Sequence, residues 1–139
     1  MSYCTQSDIQ TRIGPDDLVA LADHDGDGNA DPAVVQSAIA SAEALIDSYL
    51  SVRFSVPISP APEALKSRAV SLAVYFLRLG RDSVTDDVRA QYRDDVDWLT
   101  RVVAGQVSLG VEPRPADSSG APSVRYQGQP RLFGRNEPL

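Results

Sequence analysis

The sequence contains a single cysteine, Cys4, and a single histidine, His24. One cysteine excludes an internal disulfide and a Cys-based zinc site. One histidine excludes most His-based catalytic and metal constellations. No apolar run approaches the roughly 18 residues of a membrane span, because Arg, Asp or Gly interrupts each within a few positions. The first eight residues, Met1-Ser-Tyr-Cys-Thr-Gln-Ser-Asp8, lack the basic start and apolar centre of a signal peptide. A Gly-rich phosphate loop, a nucleophile elbow and a paired acid–base signature are all missing. The expectation is a protein that is neither an enzyme nor a membrane protein.

The 139 residues are 42% hydrophobic and 23% charged, enough for one core with an arm and too few for two independent cores. Net charge is −6 and unevenly spread. Residues 1–105 carry nine basic and sixteen acidic side chains, whereas residues 106–139 carry four and three. An acidic body is a poor nucleic-acid binder, since phosphate contacts need clustered Lys and Arg. Twelve of the thirteen basic residues are Arg, which suits bidentate pairing at protein interfaces.

The body reads as all-α, a small helical bundle over residues 1–105. Thr5 and Asp8 have the spacing of a capping box, with Asp in place of Glu, ahead of a helix from about Gln6 to Ile13. Gly14 ends it, and Pro15 opens a second short helix to Ala22. Asp31 and Pro32 form an N-cap and first position for a long helix ending near Arg53. Its stripe is Val35, Ala38, Ile39, Ala42, Leu45, Ile46, Tyr49 and Leu50. Pro57, Pro60 and Pro62 forbid helix and make an extended joint. Glu63–Leu79 is the next helix, apolar nearly all round and therefore central, with Gly80 as its C-terminal cap. Thr85 caps the last, Asp86–Ala104, whose stripe is Val88, Tyr92, Val96, Leu99 and Val103. Asp94, Asp95 and Asp97 fall mainly on its solvated face, and Tyr92 and Trp98 read as packing residues.

Residues 106–139 hold five of the ten prolines and four of the nine glycines. That density prevents a packed helix and predicts a long extended C-terminal arm. Ser123–Gln127 and Arg131–Phe133 have the pattern of two short strands of a β-hairpin about Gly128. Val107, Leu109, Val124, Tyr126, Leu132 and Phe133 are apolar residues in a segment that cannot build its own core. A disordered tail and an arm that orders on a partner's surface are both open; free tails seldom carry bulky pairs such as Leu132-Phe133, which favours the arm.

One local motif is sharp: Asp23-His-Asp-Gly-Asp-Gly-Asn-Ala-Asp31. It places carboxylates at positions 1, 3, 5 and 9 of an EF-hand-like loop, with Gly28 at position 6, where such loops turn sharply. Asp23, Asp25 and Asp27 could supply three oxygens, the backbone carbonyl of Asn29 a fourth, and Asp31 a fifth directly or through water. Position 12, which should be a bidentate Glu, is Val34. A weakly bound or structural Ca2+ and a bare turn with Asp31 capping the next helix are therefore both open. Calcium is preferred to magnesium because the loop is flexible and all-oxygen. His24, at position 2, should point outward. Cys4 has no nearby base to activate it and reads as a small buried or semi-exposed thiol.

The order of these elements resembles the Mu-like phage family of small virion morphogenesis proteins. The residues that carry the likeness are the acidic loop, the helix ending Ala44-Leu-Ile-Asp-Ser-Tyr-Leu50, the proline-rich joint, Ala104-Gly-Gln-Val-Ser-Leu-Gly110 and the terminal Arg131-Leu-Phe-Gly-Arg135. The resemblance implies a head–tail connector, or adaptor, in the virion neck, assembled in the host cytoplasm. Such a protein forms a homo-oligomeric ring, usually a dodecamer, beneath the portal protein. The ring meets a stopper or tail-terminator protein on its other side, and DNA passes through it without sequence-specific binding. Arg131, Leu132, Phe133, Gly134 and Arg135, with Leu139 at the tip, would then be portal-docking residues. A calcium-binding helical module and a stopper or tail-completion protein of the same virion are the alternatives.

Overall fold

The computed structural model describes residues 2–115. Among them are five α-helices and no strand, so the all-α expectation holds. The first helix, α1 (Gln6–Ile13), begins with the foreseen capping box: the Asp8 amide donates to Thr5 Oγ1 and the Thr5 amide to Asp8 Oδ2. Gly14, at φ +89°, lets the chain leave α1 and enter α2 (Pro15–Ala22) without an intervening loop. The long helix α3 spans Pro32–Leu50 and passes through a short turn to Arg53. The proline-rich joint leads to α4 (Glu63–Gly80), and Thr85 caps α5 (Asp86–Val103) by accepting from the Val88 amide.

Two cap assignments differ from expectation. Gly80 is the last residue of α4 and not a left-handed cap; the reversal is made at Asp82, with φ +54°. Asp31 occupies the N-cap position of α3, but its carboxylate makes no bond to that helix and turns to the loop before it.

The core is built around α4, which touches each of the other four helices and packs most extensively on α3. Ile39, Ile46 and Leu50 of α3 meet Leu65, Leu72 and Leu77 of α4, with Ile9, Leu18 and Leu99 closing the sides. Burying each such side chain contributes about 1.5–3 kcal/mol. The outer end of α4 departs from the expected stripe: Leu79 is 52% exposed and Phe76 half-buried, while Val70 and Leu77 are buried. In this last turn Leu77 holds the core position while Leu79 points away from it.

Both ends of the body are fastened to it. Tyr3 is buried; its hydroxyl donates to Asp47 and accepts from the Ile58 amide, and its own amide donates to Glu43. At the other end, Leu109 is buried, Val107 and Val111 pack against the core, and the Arg114 amide donates to the Arg53 carbonyl at 2.8 Å. Val107 and Leu109, read from the sequence as needing a partner's surface, are thus sheltered by the chain's own body. The hairpin residues 123–133 and the docking residues Arg131, Leu132, Phe133, Gly134, Arg135 and Leu139 lie outside the described residues.

Candidate functional site

The acidic loop is a closed ring of backbone. The Asp31 amide donates to the Ala22 carbonyl at 3.0 Å, joining the end of α2 to the start of α3. Gly26 and Gly28 take φ of +78° and +84°, a region that L side chains rarely enter, so the two tight reversals need these residues. Arg81, just past α4, donates to the Asp23 carbonyl at 2.6 Å and ties the loop to the far end of the central helix.

Inside this ring the carboxylates converge. One oxygen from each of Asp23, Asp25, Asp27 and Asp31 lies within 4.8 Å of the others. Asp23 accepts from the amides of Gly26, Asp27 and Gly28 at 2.8, 3.2 and 2.9 Å. Asp25 accepts from Asp27, Asp27 from Asn29, and Asp31 from His24. The backbone thus supplies partial positive charge to four anions that repel one another.

This balance splits the first two carboxyls. Desolvation pushes Asp23 up, but the amides of Gly28, Gly26 and Asp27, with a hydrogen bond from Asp25, outweigh it and hold Asp23 below the usual range. Asp25 moves the other way: the Asp27 amide lowers it, but the bond with Asp23, desolvation and the charges of Asp27 and Asp31 raise it overall. At the positions of the remaining proposed ligands, Asn29 is exposed and gives its amide to Asp27. Val34 sits in the first turn of α3 and packs against the core, so position 12 offers no oxygen. His24 is exposed, as expected.

A second polar cluster was not foreseen. Asp95, assigned to the solvated face of α5, is fully buried. Arg68 pairs with it at 2.8 Å, Ser71 Oγ donates at 2.6 Å, and Gln91 Nε2 donates at 3.0 Å. The Arg68 guanidinium also lies over the Trp98 ring, 5.1 Å from its centroid. Tyr92 stacks on Tyr75 with centroids 4.1 Å apart, a packing role as expected. The clue was spacing: Tyr92, Asp95, Leu99 and Val102 fall on one helical stripe, and Arg68 and Ser71 are one turn apart on the facing helix. Asp94 and Asp97 are exposed, as expected.

Cys4 is buried, and desolvation, with the charges of Glu43 and Asp8, pushes its thiol up to about 12. It is a packing residue, not a nucleophile. Among the described residues no helix is long and apolar enough to cross a membrane.

Comparison with known proteins places the chain among relatives from Mu-like phages. The chain is 36% identical to Gene product J of Escherichia phage Mu over 139 residues, covering 99% of this chain and 97% of that protein. It is 32% identical to the Mu-like prophage FluMu protein gp36 of Haemophilus influenzae over 106 residues, covering 76% of this chain and 74% of that protein. The family described as Bacteriophage Mu, Gp36 matches residues 3–126, which include the acidic loop, the joint and the Asp95 cluster, and the chain belongs to that Mu-like phage family.

Proposed function

We propose that this protein is a structural head–tail adaptor of a tailed phage: copies form a ring, dodecameric by the family resemblance, under the portal protein and extend the DNA channel towards a stopper or tail terminator. Its place is the virion neck. The observation that carries this reading is family membership joined to an all-helical body among the described residues. Leu132 and Phe133 are a bulky apolar pair within a Gly- and Pro-rich segment, which suits an arm that docks on a neighbour. A stopper would be expected to be β-rich, and five helices weigh against it. The one thiol is buried and unactivated, which favours a structural role over an enzymatic one.

Deleting residues 123–139 tests the docking role. The truncated chain should keep its melting temperature, because the described core ends at Leu109 and its flanking residues, and should lose capture by the portal. Portal capture at parental affinity by the truncated chain would refute it.

A second reading concerns the loop. Four carboxylates within 4.8 Å favour a weakly held Ca2+ at Asp23, Asp25, Asp27 and Asp31, with the Asn29 carbonyl and water completing the shell. The ion would staple α2 to α3 rather than regulate a partner. Calorimetry should give a calcium heat in the parent and none in Asp25→Ala; equal traces in both would sink the site.

A further inference from the structure

Arg78 has an unusual position among the described residues. Its Nε is shut off from solvent and has no hydrogen-bond partner. Arg78 forms no ion pair with any described residue, nor does Arg12. Arg12 donates from Nη2 to Ser67 Oγ at 3.1 Å and weakly to the Ser67 carbonyl, leaving most of its five donors unused. Arg12 and Arg78 both line one cleft of about 230 Å³ where α1, α4 and α5 meet. Its apolar floor is Ile13, Val74 and Val88. The neighbouring Ser71 and Gln91 give their donors to Asp95, whose carboxylate Arg68 already neutralises, so Asp95 is not the counter-ion of Arg78. Two arginines without ion pairs thus border one half-apolar cleft, and a carboxylate entering it would supply the counter-charge that both lack.

We propose that this cleft is a carboxylate-binding pocket that receives an Asp or Glu side chain from a second copy of the chain. The apolar floor suits the alkyl stem of such a side chain, and the guanidinium fork suits bidentate pairing with its head. A free phosphate has no stem to bury. The donor is a second copy because the body is rich in unpaired carboxylates: Asp16, Asp17, Asp94 and Glu112 are exposed and form no ion pair. A ring is built from one surface of a subunit meeting a different surface of the next, so a cationic cleft and an acidic face on one sequence are the two halves of such a contact. This inference rests on the ring reading above.

Sedimentation velocity of the full-length protein over rising concentration tests it. The parent should self-associate, more weakly as salt increases. Arg78→Glu should weaken association at least about tenfold, and Arg78→Lys by less, since it keeps charge but loses the fork. Arg93→Glu, at an exposed arginine without an ion pair, should leave association unchanged. Because Arg78 is half-buried, melting curves accompany each variant, and the exposed Arg12→Glu should give the same loss without a folding defect. A parent that stays monomeric throughout, or Arg78→Glu and Arg12→Glu that associate like the parent, would overturn the proposal. Portal capture is read separately by the 123–139 deletion, so intact capture with failed self-association removes this inference alone.

Discussion

Asp95 and the loop aspartates are handled in opposite ways. Asp95 is fully buried and answered by three side chains, Arg68, Ser71 and Gln91. Asp23, Asp25, Asp27 and Asp31 lie near the surface, crowd one another, and accept mainly backbone amides. A buried carboxylate must be matched by its own fold, because no solvent will do it. A surface group of four can stay under-matched, because water screens the repulsion and an ion can enter. The buried pair joins α4 to α5, while the loop carboxylates stay crowded at the surface.

The contrast can be broken at its stronger side first. Arg68→Ala leaves the Asp95 carboxylate buried without its cation, and urea unfolding should show a loss of about 3–5 kcal/mol. Asp95→Ala should cost less, about 2–3 kcal/mol, because the abandoned Arg68 side chain is 30% exposed and can reach water. Equal and small losses in both would mean that the pair does not hold the two helices. On the loop side, Asp23→Ala removes the acceptor of three amides and should lower the melting temperature by less than either change. Asp23 is held low in the fold, so its contribution is present above its unfolded pKa and disappears as pH falls through the folded value. The deficit of Asp23→Ala should therefore shrink in acid, and a deficit that grows there would contradict the assignment. The smallest effect is that of Asp25→Ala without calcium. Asp25 is raised, so its ionised form weakens the fold at neutral pH and protonation relieves it. The variant should melt at or slightly above the parent temperature near pH 7 and lose that advantage in acid, which scanning calorimetry at both pH values would reveal.

Much of this molecule is legible in the sequence, for reasons that differ by element. The bounds of α1 and α2 follow from Thr5, Asp8, Gly14 and Pro15, local residues whose capping chemistry needs no tertiary partner. The convergence of the loop carboxylates follows from their alternation and the two glycines. Asp95 escapes such a reading because it stands in a run of charges, and its burial depends on Arg68 and Ser71 of the facing helix as well as on Gln91 of its own. Leu109 escapes because proline and glycine around it signal an arm, whereas the joint it lies beside is made by residues about fifty positions earlier. Arg78 carries no local mark at all; its orphaned Nε is a property of three helices meeting.

Tyr3 has a mechanical consequence. One phenol oxygen bridges a carboxylate on the long helix and an amide in the proline-rich joint, and so locks a hinge that three prolines would otherwise leave available. The α3–α4 pair must then travel as a single wedge. A surface that meets this body would find its shape already decided.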